Sequence, residues 1–428
     1  MDHAEAGATG AGHLDRGDGN RSIKPTGEAQ MTQSTTARIP MWRKVRRPAR
    51  SRTVFRKAAL AWTAAGAVAV ALMGLLAPTV VAAPAADSFT QTNLVADNAS
   101  FGAKLVDPNL TNAWGLAGPG ALWVADNNSG NVGIYSGGVG GSPVTLDFTV
   151  PVPGGNPTGQ VYNSTSSFHV GGATGSPAAF IVDSDSVGAT QSPGEIAAWN
   201  GGTSFVVEDS SAGGPGGRIP ANAVFKGLAL SPTSAHGAEL YAADVANARV
   251  DVFDSSFAPV AASAAFTDPM IPAGYAPFGI QLLGGKVFVS YGKQNAAKTN
   301  VVPGKGRGYV DVYSVNGKLL HHLIPGGTSS PLNEPWGMVL APAGFGPFAN
   351  DLLVGNLGNG RINAFNPLTG AHLGVLDTST GTGTPITING LWGLSPGDAS
   401  FGGAGSVVFS AGPNGYVDGL VGVLTPAA

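Results

Sequence analysis

The chain contains no cysteine. Disulfides, thiol chemistry and attachment of a lipid through cysteine are therefore excluded. A chain of this kind that is exported must be held together by its core alone, and about 340 residues can supply one. Charge is also scarce, at 11% of residues, and it is segregated. Residues 1–86 carry 12 Lys/Arg and 5 Asp/Glu, whereas residues 87–428 carry 11 and 21. The larger part is thus acidic by about ten charges, which argues against a nucleic-acid partner, because neutralising phosphates needs a basic surface. Common catalytic signatures are missing: there is no Gly-x-Ser-x-Gly elbow, no His-Glu-x-x-His helix and no phosphate loop. Gly304, Gly306 and Gly308 form a glycine cluster suited to turns. Helical periodicity is nearly absent beyond the first 86 residues, and no second long apolar run follows them.

The basic residues lie together. Arg43, Lys44, Arg46, Arg47, Arg50, Arg52, Arg56 and Lys57 lead into an apolar run from Ala58 to Ala83 that ends in small residues. This order predicts a secretory signal peptide over residues 41–86 and a secreted, extracytoplasmic mature protein with no membrane span left after cleavage. An uncleaved anchor is the alternative, since the run approaches the roughly 20 residues that cross a bilayer. Thr53 stands where a twin-arginine signal would carry its second arginine, so the general route is the expectation. Residues 1–40 show no period and are expected to be disordered, or not translated at all if Met31 or Met41 is the true start.

What is abundant is turn chemistry, with 65 glycines and 31 prolines, and a phrase that recurs six times. Its first copy is Ala113-Trp114-Gly115-Leu116-Ala117, then Leu122-Trp123-Val124-Ala125-Asp126, then Val132-Gly133-Ile134-Tyr135. Copies restart at Gly159, Gly227, Gly279, Gly337 and Gly393, a spacing of about 45–70 residues that belongs to propellers and solenoids. Period-two alternation gives four strands per copy. The sixth copy, from Trp392 to Leu424, lacks one strand, while Phe89–Val95 is a strand without a repeat. Giving the second to the first closes a ring with no open edge. The expected fold is all-β: residues 87–428 form a six-bladed β-propeller of four-stranded blades, with the N-terminal strand closing the last. An open solenoid would want capping repeats, and a pair of sandwiches would not explain one phrase recurring six times.

The Gly-Leu-Ala, Leu-Trp-Val-Ala-Asp-Asn and Asn-Val-Gly-Ile-Tyr segments resemble NHL repeats of six-bladed propellers. Asn93–Asp97, Asp107–Leu116, Asn156–Gly159 and Ser410–Gly415 resemble, more closely, an uncharacterised family of exported bacterial proteins. That resemblance covers essentially residues 88–428. It implies export and an NHL-like propeller, and it implies no reaction.

Repeat symmetry supplies the candidate site. The second strand of successive copies ends in Asp126, Asp183, Asp244, Ser290, Asn356 and Ser410. A ring brings such positions to one radius and height, where Asp126, Asp183, Asp244 and Asn356 could offer oxygens to a calcium ion. The competing reading makes them turn acceptors for backbone N–H groups. Glutamate is rare after residue 86 (Glu195, Glu208, Glu239 and Glu334), and only Glu334, beside Pro335-Trp336-Gly337, starts an innermost strand. It is the fifth metal candidate, with Asn112, Asn156 and Asn389 near it at the channel mouth. Asp126–Asn131 and Asp183–Asp185 are oxygen-rich, but they lack the distal acid of an EF-type loop. His321 and His322 are neighbours on an outer strand and face opposite ways; His169, His236 and His372 are isolated. Trp114, Phe278, Trp336 and Trp392 recur beside the repeat glycine, as a stacking platform or as core between neighbouring blades.

The reading that follows is a monomeric binding or scaffold disc for a small ligand or protein partner, with no cofactor required. The alternative is a calcium-dependent lactonase- or esterase-type hydrolase with an ion in the channel.

Overall fold

The computed structural model describes residues 88–185, 194–207, 222–260, 265–378 and 383–427. The segment expected to be a signal peptide and residues 1–40 lie outside them. So do residues 186–193, 208–221, 261–264, 379–382 and 428.

Six antiparallel sheets follow one another along the chain. Blade one is built from Ala113–Ala117, Leu122–Asp126, Asn131–Gly137 and Val144–Pro151. Blade two uses Pro157–Tyr162, Phe180–Ser184, Ile196–Trp199 and Val206–Val207. Blade three has Phe225–Ser234, Gly237–Asp244 and Arg249–Phe253. Blade four has Tyr275–Leu283, Lys286–Lys293, Gly308–Tyr313 and Leu319–Ile324. Blade five has Pro335–Leu340, Leu352–Asn356, Ile362–Phe365 and His372–Val375.

Blade six joins both ends of the chain. Leu391–Pro396, Val407–Ala411 and Leu420–Pro426 come from the C-terminal part, and Ser88–Ala96 adds the outer strand. Phe89 pairs with Pro426 and Ala96 with Leu420, antiparallel across a bulge. The N-terminal strand therefore occupies the place the sixth repeat leaves empty, and the ring closes as the repeat count predicts. Closure satisfies the backbone groups that an open last blade would leave bare.

The repeat glycine explains how tightly the ring is drawn. A Cβ on Gly227 would stand 3.2 Å from Phe278 O of the next innermost strand, and one on Gly393 would stand 2.7 Å from Trp114 O of the first. At Gly115, Gly159, Gly279 and Gly337 it would likewise collide with backbone of the following blade. All six innermost strands thus approach their neighbours backbone to backbone, which only glycine permits. Along the axis this leaves a cavity of about 10 Å³, room for one water molecule.

Between the blades lie apolar layers. Trp123 of blade one stacks on Phe180 of blade two at 3.7 Å. Tyr241 and Ala243 of blade three pack with Ile280, Val287, Val289 and Tyr291 of blade four. Burying each of the larger side chains contributes about 1.5–3 kcal/mol, so a blade gains its stability from its two neighbours. Among the described residues no helix is long and apolar enough to cross a membrane.

Candidate functional site

The ends of the second strands are fully buried, and most are already committed to the backbone. Ser410 Oγ accepts from Gly393 N–H at 2.8 Å and donates to Trp114 O of blade one. Ser290 Oγ accepts from Gly279 N–H at 2.9 Å and donates to Pro335 O of blade five at 2.7 Å. In blade two, Asp183 Oδ1 accepts from Gly159 N–H at 2.5 Å and from the Thr158 hydroxyl at 2.8 Å, and that hydroxyl also reaches Phe225 O of blade three at 3.1 Å. Each arrangement ties the repeat glycine to the next blade. Asp244 caps a turn instead, its Oδ1 accepting from the N–H groups of Val224, Ala246 and Asn247 and its Oδ2 from Asn247 Nδ2. Asn356 accepts from Asn333 N–H and donates to Pro331 O.

Asp126 differs. Both carboxyl oxygens are buried with no hydrogen bond of good geometry, only a weak approach of the Gly133 N–H, and burial, reinforced by the nearby Asp107 charge, pushes its pKa well above the usual carboxylate range. Tyr135 donates its hydroxyl to Asp107 at 2.7 Å beside it. Burial likewise lifts Asp183, to about 7.

The five metal candidates therefore do not make one oxygen shell. Asp183 Oδ1, Asp244 and Asn356 accept N–H or O–H donors, Asp126 lies beside Asp107 and Tyr135, and Glu334 belongs to another position of the repeat. A calcium ion wants six to eight oxygens converging on it. Among the described residues, one group of three or more carboxylate or imidazole ligand atoms comes within 4.8 Å, and it is Asp268, Asp311 and His322.

The residues preceding the repeat glycines are Trp114, Thr158, Lys226, Phe278, Trp336 and Trp392, all buried. The aromatic ones do not fill separate wedges between neighbouring blades; ring geometry gathers them at the axis. Trp114 stacks on Trp392 at 3.4 Å, Trp336 meets both edge-on at 5.9 and 5.8 Å, and Phe278 lies 6.0 Å from Trp392. They form a plug. Lys226 is buried with them, its Nζ 5.0 Å from the Trp114 ring and 2.8 Å from Asp185. Trp336 Nε1 donates to Lys226 O at 2.7 Å, joining blades three and five across the axis.

Glu334 stands three residues before its glycine, as do Asn112 and Asn156, and all three have a left-handed φ of 52°. The asparagines and the glutamate are thus equivalent in backbone conformation as well as in their offset from the repeat glycine. Asparagine adopts this conformation readily and glutamate does not. Asn112 is fully engaged: its Oδ1 accepts from Trp392 Nε1 at 3.0 Å, and its Nδ2 donates to Asn127 and Asn128. Asn389 accepts from Asn414 N–H at 2.9 Å and so holds the turn that carries Tyr416.

Among the described residues, no hydrogen bond or ion pair reaches the carboxyl of Glu334. The residue is buried, and desolvation raises its pKa to about 7. Beside it, Tyr416 covers Trp392 at 5.7 Å while remaining 39% exposed. Its own pKa is raised by burial and then by the Glu334 charge. A strained, unpaired carboxyl under an exposed phenol is the arrangement on this face best suited to receive a donor.

A roomier cleft of about 290 Å³ is lined by Ser166, Ser167, His169, Ala173, Ser255 and Ser256, but no carboxylate, lysine or arginine enters it. Sequence reasoning passed over Lys226, Tyr416, Asp268 and Asp311, and weighed Asp185 only as part of an oxygen-rich segment. Only His322 carried a usable signal, because hairpin register places it directly across from Asp311.

No protein-family model matches the chain. Two uncharacterized proteins of Acanthamoeba polyphaga mimivirus are each 29% identical to it, over 339 and 343 residues. The matches span 77% and 78% of this chain and 78% and 85% of those proteins. These relatives are viral, whereas the motif resemblance pointed to exported bacterial proteins. Among solved structures, streptogramin B lyase aligns over 79% of this chain and 97% of its own, at 11% identity and a TM-score of 0.41. An α-L-arabinanase of Penicillium chrysogenum complexed with arabinobiose aligns over 79% and 98%, at 14% identity and a TM-score of 0.49. Neither likeness bears on what this chain does.

Proposed function

We propose that the protein is an exported binding disc whose axial face, centred on Glu334, takes up a small ligand or a partner segment bearing a hydrogen-bond donor or a cation. The observation that carries this reading is the Glu334 side chain, a buried residue whose carboxyl accepts no hydrogen bond among the described residues and which is held on a left-handed backbone. Such a group is costly to keep, and a donor placed against it recovers the cost. The closed axis and the aromatic plug support a rigid platform, on which a ligand docks at the face and does not pass through the ring. The basic-then-apolar order of residues 41–86 supports export.

The same carboxyl favours a second reading, hydrolysis of a lactone or ester, since a pKa near 7 suits a general base. No calcium-assisted step is assigned, because the candidate oxygens do not converge. A thermal-shift screen of amines, amino sugars and hydroxyl-rich compounds against the full chain and Glu334→Gln tests the binding reading. Compounds that stabilise the parent should lose most of their effect in the variant. Stabilisation equal in both would remove Glu334 from the site. Turnover of a chromogenic ester by the parent alone would favour the hydrolase.

A further inference from the structure

Far from the axial face, the outer strands of blade four and the loop that enters it bring three side chains together. His322, on Leu319–Ile324, lies across from Asp311, on Gly308–Tyr313. Asp268 comes from the segment before the blade, 54 residues from His322 in sequence. His322 Nδ1 is 2.8 Å from Asp268 Oδ2 and 2.9 Å from Asp311 Oδ1. Both aspartate side chains are essentially inaccessible, at 1% and 0%, while the imidazole keeps 13% exposure.

The remaining oxygens are held by the protein. Asp268 Oδ1 accepts from Met270 N–H at 2.7 Å. Asp311 Oδ2 accepts from the Tyr313 hydroxyl at 3.1 Å, and Tyr313 is bonded in turn to the Tyr291 hydroxyl at 2.7 Å. Each carboxylate therefore has one oxygen anchored from behind and the other turned to a point shared with an imidazole nitrogen. Outer partners of this kind orient the ligands of metal sites.

A His-Asp ion pair explains the cluster less well. One Nδ1–H cannot satisfy two carboxylates, and a single imidazolium leaves two buried carboxylates with a net negative charge. We propose that Asp268, Asp311 and His322 form a binding site for a divalent transition-metal ion, of the zinc type, at the outer edge of blade four. One nitrogen and two oxygens suit such an ion, with a fourth position for a water molecule. Bonds of about 2.0–2.1 Å in a tetrahedron put ligand atoms roughly 3.3 Å apart, so the ion enters by spreading the three side chains a few tenths of an ångström. Charge neutralisation of the carboxylate pair is the driving term.

The test is isothermal titration of zinc into the untagged full chain, repeated with Asp268→Asn, His322→Gln, Tyr313→Phe and His321→Ala. One equivalent should bind. Asp268→Asn and His322→Gln should each weaken binding at least 100-fold, and Tyr313→Phe about tenfold. His321→Ala should change nothing, because that side chain points to the opposite face. Cobalt in place of zinc should give a visible absorption band that His322→Gln abolishes. Cooperative thermal unfolding without metal establishes that a variant is folded; Asp268, in a loop, is the change least able to disturb the sheet. Absence of saturable binding to the parent overturns the proposal. So does binding that survives in folded Asp268→Asn or His322→Gln.

Discussion

Blades six and one place different residues at the same position of the repeat, and the contrast shows what the ring demands there. Ser410 is buried and fully used, its hydroxyl accepting from one strand and donating to the next blade. Asp126 is buried to the same degree and makes neither of these two bonds. The donating half of that bridge comes from a hydroxyl, and no hydroxyl stands in its place in blade one. Blade two solves the problem by recruiting the Thr158 hydroxyl beside Asp183. Blade one has Trp114 where Thr158 stands, and its link to blade two passes instead from Asn127 Nδ2 to Pro157 O at 3.0 Å. Blades one, two, four and six thus each make an inter-blade bond near this position with different residues, whereas Asp244 and Asn356 serve local backbone in blades three and five.

Breaking the ring itself should cost most. Gly279→Val drives a side chain into the Trp336 carbonyl and the Ser290 hydroxyl. Rigid backbone on both sides allows no relaxation, so a loss above about 3 kcal/mol, or failure to fold, is expected in chemical denaturation. Ser410→Ala should cost about 2–4 kcal/mol, because it strands both the Gly393 N–H and the Trp114 carbonyl without partners. Asp126→Asn should sharpen the contrast by its opposite pH behaviour. Burial holds the Asp126 pKa above its unfolded value. The folded state therefore keeps the proton longer, and this site's share of stability, complete below about pH 4, falls as pH rises. The asparagine variant should show a flatter dependence of melting temperature between pH 5 and 8.

Glu334→Gln should give the smallest change. Its folded pKa of about 7 exceeds the ordinary 4.5, so the parent loses stability between those values as pH rises. The variant should gain about 1–2 kcal/mol at pH 8 after discounting for solvent near the carboxyl, and nothing at pH 4. A gain that persists at pH 4 would mean that charge is not the cause.

The site was less legible than the fold for a specific reason. Second-strand ends were visible as a series, and reading them as backbone acceptors describes Asp183, Asp244 and Asn356, although the N–H groups that Asp183 and Asn356 accept lie in or just before the innermost strand and not in the following turn. Glu334 stood out by scarcity and shares its offset from the repeat glycine with Asn112 and Asn156, but the left-handed backbone of all three needed φ angles. Lys226 and Asp185 meet across 41 residues, with no pattern in the chain to announce them.

Sequence by itself determined the number of blades, the place of the repeat glycine and the strand that closes the ring. Each of these depends on a local period and on the need to leave no strand unpaired. Tertiary structure decided that the recurring aromatics meet as one plug, that Glu334 is left unpaired, and that Asp268 reaches Asp311 and His322. Those outcomes depend on how tightly six blades draw together and which way each side chain turns, and ring curvature is set by contacts between repeats that no single repeat encodes.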